Sequence, residues 1–379
     1  MRLAFVLKGG LHPSGRIEVV PVYLGLLAAL AERHAVHAFV LRHQPEPASY
    51  RLRGIDVHDL GRPSAPAGLT PLAVWRALGR ALRRHGPFDV VHAFWADPQG
   101  LHAAIAGRAA RVPSVVTCDS GEFVSVPAAG YGLQRTLRGR ATMRFVARAA
   151  SRLHVCTGHA AAQARTLGLD PVLLPLGIDA ARFRPPRPAP EGPPWRLLQV
   201  AGLNPVKHQA LLLDAVALLA RDHDVHLDLV GEDTRGGVLQ ARASSLGLRD
   251  RVTFHGFVDQ EALVALYHQA HLFVQTSYHE GAGVAVLEAA AAGVPVVGTR
   301  VGYLADWAPD GADAVEPPTA DALVGAIARL LASPARRASM AEAARAFVVR
   351  HDVAWSAAAL ERLYRALAPD GRAAASAAG

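Results

Sequence analysis

The stretch His271–Thr299, HLFVQTSYHEGAGVAVLEAAAAGVPVVGT, constrains the fold more than any other part of the chain. It opens with a short apolar run, Leu272–Val274, followed by a polar loop, Gln275–Gly283. An Ala-rich segment, Val284–Ala292, is broken by Gly293-Val294-Pro295, and a second apolar run, Val294–Val297, closes the stretch. Short apolar runs on either side of a helix-prone segment read as strand, helix, strand, the unit of a parallel sheet. That predicts an α/β chain.

Two carboxylates stand in this unit, Glu280 in the loop and Glu288 in the helix, eight residues apart. Helical rise separates them by at most about 12 Å. Between them Gly281 and Gly283 let the backbone approach a ligand, and the first amides of the helix have no partner of their own, which makes an anion site. A carboxylate, bare amides and a second carboxylate match the order sugar, diphosphate, ribose. Taken alone, the two glutamates fit a loop charge and a solvated helix residue equally well.

The chain has 379 residues, enough for two domains with full cores, and 51% are hydrophobic. No run of eighteen apolar residues occurs, so no spanning helix is expected. The start, MRLAFVLKGG, lacks a signal-peptide pattern, and two cysteines, Cys118 and Cys156, suit a reducing compartment; the expected location is the cytoplasm. Residues 1–185 hold 23 Lys and Arg against 11 Asp and Glu, and the remainder holds 17 against 21. A basic half and a mildly acidic half suggest two domains with different partners.

In the first half, Leu3–Leu7 reads as a strand that ends in Lys8-Gly9-Gly10, with a helix from about Glu18 to Arg33. Gly9 and Gly10 give a phosphate-approach geometry. The run GLHPSGR mimics a P-loop, but Arg16 replaces its Lys and Ile17 its Ser or Thr. Further strands are expected over 36–40, 54–60, 89–92, 112–117, 153–156 and 172–175, a turn over Pro63–Leu69 and a helix over Val74–His85. His92 either faces a cleft or is a satisfied strand-end histidine. Leu133–Arg152 reads as a helix on which Arg140, Arg144, Arg148 and Arg152 share one face. Such a stripe fits either a solvated face or contact with anionic lipid, and its few aromatics argue against nucleic acid.

Residues 185–194, PPRPAPEGPP, read as a linker, and strands and helices alternate again from Arg196. Asp222-His223-Asp224 precedes a strand rather than following one, the wrong place for a D-x-D metal site. No H-E-x-x-H or C-x-x-C occurs. Ala320–Leu331, Pro334–Arg350 and Val353–Leu367 read as helices, and residues 368–379 as a frayed tail.

The run EGAGVAVLEAAAAGVPVVGT resembles the Glu-x7-Glu signature of retaining glycosyltransferases of family 4, which have the GT-B fold. The resemblance implies two doubly wound, Rossmann-like domains facing a cleft. The N-terminal, acceptor-side domain would span 1–184 and the nucleotide-sugar-binding domain 195–352, with helix 353–367 crossing back to the first. It implies that Glu280 contacts the transferred sugar and Glu288 the ribose, with Gly281, Ala282, Gly283 and Val284 forming the donor loop. Gly9 and Gly10 match a Gly-Gly loop beneath the donor phosphates. Lys207, in AGLNPVK, matches the lysine that neutralises the diphosphate.

Two departures stand out. Gly202 replaces an arginine, and after Thr117 the usual His-Gly is replaced by Cys118-Asp119-Ser120-Gly121-Glu122. Asp119, Ser120, Glu122 and His92 are therefore the candidates for the first domain's side of the cleft. The implied reaction moves a sugar from a UDP- or GDP-sugar to a small-molecule, glycan or lipid-linked acceptor, with no cofactor and no metal. Peripheral contact with the inner face of a membrane would run through Arg140, Arg144 and Arg148. The alternatives are a nucleotide-sugar epimerase on the same fold and a nucleotide-sugar-binding protein with decayed catalysis.

Overall fold

The computed structural model describes residues 1–41, 44–62, 70–184 and 191–368. The expected turn at Pro63–Leu69, residues 185–190 of the expected linker and the tail after Ala368 lie outside the described residues. In the first half, eight strands form one sheet: β1 (Arg2–Leu7), β2 (Ala35–Val40), β3 (Ala48–Leu52), β4 (Ile55–Asp59), β5 (Val90–Phe94), β6 (Ser114–Thr117), β7 (Arg152–Val155) and β8 (Val172–Leu173). Their order is β3-β4-β2-β1-β5-β6-β7-β8, with only the β3–β4 pair antiparallel. The continuous apolar run of β1, buried from Leu3 to Leu7, is what a strand covered on both faces requires. Helix α1 (Pro21–Ala31) follows β1, and α2 (Thr70–His85) and α3 (Leu101–Ala110) lie on the opposite face; α4 (Leu137–Ala149) and α5 (Gly158–Thr166) complete the half.

The second half repeats the plan with six parallel strands in the order β11-β10-β9-β12-β13-β14. These are β9 (Trp195–Val200), β10 (Val225–Val230), β11 (Val252–Gly256), β12 (Leu272–Gln275), β13 (Val296–Thr299) and β14 (Ala312–Val315). The helices are α6 (Gln209–Leu219), α7 (Val238–Ser245), α8 (Gln260–Gln269), α9 (Val284–Ala291), α10 (Gly302–Trp307), α11 (Ala320–Ala332), α12 (Pro334–Arg350) and α13 (Val353–Leu367). The strand order reverses between β1 and β5 in one sheet and between β9 and β12 in the other. Ligands bind beyond the carboxyl ends of strands at such points. The loops after β1, β6, β9 and β12, which hold the sequence candidates, all leave from carboxyl ends.

The halves are tied together. Helix α13 packs against α1. Ser356 Oγ accepts from Gly177 N at 2.7 Å and donates to Pro175 O at 2.9 Å. One continuous cluster of buried apolar side chains runs from Phe5 and Phe94 through Phe183 to Phe273 and Tyr303.

Two expectations need correction. Strand β3, ASYRL, was not foreseen: it lies at the sheet edge with only Leu52 buried, and its alternation of Ala48, Tyr50 and Leu52 with Ser49 and Arg51 spans just five weakly apolar residues. It reaches β4 through the two-residue turn Arg53-Gly54, both with positive φ, as a tight hairpin demands. The helix expected to reach Arg152 ends at Ala149, and Arg152 opens β7, so the basic stripe on α4 is Arg140, Arg144 and Arg148.

Candidate active site

The loop between β12 and α9 is built around Glu280. Its Oε1 accepts from Lys207 Nζ at 2.6 Å, from Gln275 Nε2 at 2.5 Å and from Ser277 Oγ at 2.5 Å. None of the hydrogen bonds among the described residues reaches Oε2. Lys207 ends a short 3-10 turn, Pro205–Lys207, which Asn204 caps by accepting from Val206 N. That turn is sewn to the Glu280 loop: Tyr278 N donates to Val206 O at 2.8 Å, and Thr276 Oγ1 to Lys207 O at 3.0 Å. Two loops from neighbouring strands thus hold an ammonium against a carboxylate at the switch point. Gly283, with φ +85°, turns the chain into α9 without a side-chain cap; Val286 N turns back to Gly283 O at 2.9 Å, and among the described residues no side chain takes the amides of Val284 and Ala285.

The same loop meets the first half. The Cα of Gly281 lies so close to Asp119 that a Cβ would sit 2.2 Å from that residue's carbonyl group. Thr157 Oγ1 donates to Gly281 O at 2.8 Å. His279 Nε2 lies 2.7 Å from Ser120 O, so that ring nitrogen carries the proton and donates it. Further along, Asp306 accepts from Gly158 N at 2.7 Å and His159 N at 2.8 Å, capping α5 from across the cleft.

On the first-half side, Asp119 Oδ2 accepts from Tyr23 OH at 2.7 Å, while its Oδ1 is shut off from solvent with no partner. Burial pushes the Asp119 carboxyl up to about 6. Glu122 is pushed up to about 7, first by burial and then by the neighbouring Asp119. Its oxygens accept from Ser120 N and Ala96 N, so it braces the loops after β5 and β6. Ser120 and Glu122 border an open pocket of about 240 Å³ together with Trp95, Asp97 and Tyr131.

His92 is not a cleft residue. It sits in the middle of β5, 1% exposed, with Nδ1 2.5 Å from Tyr364 OH of α13 and Nε2 2.7 Å from Thr117 Oγ1. Both ring nitrogens are spent on the core, so of its two sequence readings the satisfied histidine is the one found. Glu288 does not join the Lys207–Glu280 group either. It is 8% exposed, accepts from Tyr267 OH at 2.8 Å, and burial pushes its carboxyl up to about 7. It lines a separate cavity of about 240 Å³ with Arg182, Gln260 and Asp179, roofed by the Gly15–Val22 segment. Gly10 (φ +86°) sets the start of that segment: a Cβ there would meet the Val20 side chain at 2.6 Å, and Val20 N donates to Gly10 O. Ala282 O accepts from Tyr303 N at 3.3 Å, and Val284 opens α9.

Gln275, Ser277, Tyr23 and Tyr267 were not legible as partners of these carboxylates. Gln275 ends β12 and Ser277 lies in the loop itself, where an i, i+3 or i, i+5 polar neighbour is a weak cue. The two tyrosines are far away in sequence.

The description "Glycosyl transferase 4-like domain" matches residues 19–177, and "Glycosyl transferases group 1" matches residues 182–347. A D-inositol 3-phosphate glycosyltransferase of Xylanimonas cellulosilytica is 30% identical over 335 residues, 82% of this chain and 78% of that protein. The chain belongs to the group 1 glycosyltransferases of family 4. Another member of this family, an MMP alpha-(1->4)-mannosyltransferase of Mycolicibacterium hassiacum, is 34% identical over 43% of this chain and 40% of its own length. The matched segment is thus less than half of that relative, and likewise 42% of the mycobacterial glycogen synthases. Among solved glycosyltransferase structures, a sucrose-phosphate synthase from Thermosynechococcus elongatus superposes with TM-score 0.82 at 23% identity, over 97% of this chain and 99% of that one. Anabaena HepE in complex with UDP-glucose superposes with TM-score 0.75 at 18% identity, over 97% and 100% of the two chains. The two sheets are those of the GT-B glycosyltransferase fold.

Proposed function

We propose that the protein transfers a sugar from a nucleotide diphosphate-sugar to an acceptor hydroxyl, retaining the anomeric configuration and using no metal. The observation that carries this reading is the Lys207–Glu280 pair at the carboxyl ends of β9 and β12, with uncapped α9 amides beside it. As the glycosidic bond to the diphosphate breaks, negative charge builds on the leaving oxygens. Lys207 and the α9 amides are positioned to take it, and Glu280 orients the sugar through its hydroxyls. Gly281 and Ala282, buried and with their carbonyls held by Thr157 and Tyr303, fix the shape of the loop beside Glu280. Glu288 and Arg182 offer hydrogen bonds for a ribose and a charge for a phosphate in their own cavity, which the segment after Gly10 lines through Gly15, Val19 and Val22.

The donor is a UDP- or GDP-sugar. UDP-glucose is named in the Anabaena HepE complex, and a mannosyltransferase of Mycolicibacterium smegmatis is named as GDP-mannose-dependent, with 34% identity over 45% of this chain. The acceptor enters from the first half, past Ser120 and the Trp95–Tyr131 pocket. A lipid-linked acceptor is supported by α4, where exposed Leu137 and Phe145 stand among exposed Arg140, Arg144 and Arg148. Among the described residues no helix is long and apolar enough to cross a membrane.

The test is a thermal-shift panel of UDP, GDP, ADP and their sugars, followed by a turnover assay with whichever binds. A shift with one nucleotide and sugar transfer lost in Glu280→Gln support the reading. Tight nucleotide binding with no transfer to any acceptor would instead leave a nucleotide-sugar-binding protein.

A further inference from the structure

Far from the cleft, on the α2-covered face of the first sheet, three histidines from three elements converge: His37 of β2, His58 of β4 and His85, the last residue of α2. A ring nitrogen from each lies within 4.8 Å of the others. We propose that His37, His58 and His85 form a binding site for a late first-row divalent cation such as Zn²⁺, held by three imidazole nitrogens. Imidazole is the ligand these ions favour among nitrogen and oxygen donors, and three of them with a water complete a tetrahedron.

The geometry supports this beyond mere proximity. His37 Nδ1 and His58 Nε2 are 3.1 Å apart. Two nitrogens each about 2.0–2.1 Å from one tetrahedral ion stand about 3.3 Å apart, so these two need to move by only a few tenths of an ångström. His58 is further oriented by Ser49 Oγ, 3.2 Å from its Nδ1, the outer contact that metal-bound imidazoles use to fix their ring plane. His37 and His58 are buried and His85 is partly exposed at the helix end, which gives the ion a path in. The rings of His58 and His85 now stack with centroids 3.9 Å apart, so His85 must swing about its side-chain bonds to point a nitrogen at the ion.

The charged groups around the cluster act in both directions. Arg2 places a guanidinium nitrogen 3.4 Å from His37 Nε2, and Arg84 adjoins on α2; the Asp56 carboxylate faces all three rings from β4. Burial first, and the His85 and His37 rings after it, hold His58 down to about 4; burial first and then the nearby arginines lower His37 and His85. Neutral imidazole is the form that ligates. Without an ion, Arg2 donates to His37 Nε2, His37 Nδ1–H to His58 Nε2, and His58 Nδ1–H to Ser49. Binding moves the His37 proton from Nδ1 to Nε2, breaks the long Arg2 contact and leaves Arg2 on the carbonyls of His85 and Pro87, which it already holds. No proton is released, and no step of sugar transfer passes through the ion.

The experiment uses untagged, chelator-treated full-length protein titrated with Zn²⁺, and with Co²⁺ as a spectroscopic probe. One ion per chain at micromolar affinity is expected, with a tetrahedral visible band for Co²⁺ and a rise in melting temperature with Zn²⁺. His85→Gln lies at a partly exposed helix end and should fold normally without metal. It should weaken binding by about tenfold or more and abolish the Co²⁺ band. His58→Gln provides a second, buried variant with the same expectation wherever it folds. Absence of stoichiometric binding, or binding that His85→Gln leaves unchanged, would overturn the proposal.

Discussion

The ammonium of Lys207 lies 2.6 Å from Oε1 of Glu280, a contact across 73 residues of sequence that joins the loops after β9 and β12. Glu280 thereby carries two tasks, holding the lysine and presenting its second oxygen. Glu280→Gln keeps the shape but loses the charge that fixes Lys207. It should lower sugar transfer by about a hundredfold or more while leaving nucleotide affinity within a small factor. Steady-state rates set beside nucleotide titration check this; unchanged turnover would remove Glu280 from the transfer step.

Gly202, at the position where the family resemblance led us to expect an arginine, has room for a side chain. A Cβ there would come no closer than 3.6 Å to Asn204 Nδ2, and Gly202 is not among the positive-φ glycines. Gly202→Arg should fold with stability changed by no more than about 0.5 kcal/mol. With a second cation near the leaving diphosphate, transfer should accelerate. A rate no higher than the parent's would place the diphosphate elsewhere.

Gly281 shows the opposite case. A Cβ at this position would collide with the Asp119 carbonyl, which is backbone and cannot rotate away. Gly281→Ala should therefore push the two halves apart, lowering stability by about 1–3 kcal/mol and transfer more steeply still. Thermal unfolding and the transfer assay read the two effects separately. Normal activity in this variant would mean that the contact is dispensable.

The Glu288 carboxyl is raised from 4.5 to about 7 by burial. The folded chain therefore keeps this proton over a pH range in which the unfolded chain has lost it. Stability falls as pH rises from about 4.5 to 7 and levels off above, with Glu288 alone contributing on the order of 3 kcal/mol at most. Asp119 and Glu122, also raised, act in the same direction. Glu288→Gln should flatten this slope relative to the parent in melting curves taken between pH 5 and 8. Parallel curves for the two proteins would show that Glu288 is ionised in the fold.

On α4, the exposed arginines predict salt-sensitive attraction to anionic vesicles. Arg144→Glu should weaken cosedimentation with such vesicles and leave transfer to a soluble acceptor intact. Equal sedimentation of both proteins would leave α4 a solvated face.

Much of this arrangement is readable in the sequence where the cue is local. The buried parallel strands announce themselves as apolar runs, and the Glu280 loop as a polar break with glycines between two of them. What escapes are partners fixed by tertiary packing. Tyr267 meets Glu288 over 21 residues, Tyr23 meets Asp119 over 96 and Tyr364 meets His92 over 272. No pattern along the chain announces such pairs. The three converging histidines escaped for the same reason, since neighbouring strands and a helix end bring them together rather than a fixed spacing. Edge strand β3 was missed because its alternation of Ala48, Tyr50 and Leu52 with Ser49 and Arg51 is only five residues long and buries one side chain, too little apolar signal to stand out.

The Tyr364–His92 contact also sets a clock on biosynthesis. The 272 residues between them take roughly 15–50 s to translate. Throughout that interval His92 of β5 has Thr117 but lacks the Tyr364 hydroxyl for its Nδ1, and α1 is without the helix that covers it. The first half is thus the earlier to be made but the later to be finished, and a nascent chain stalled before α13 would present its unsealed flank to chaperones.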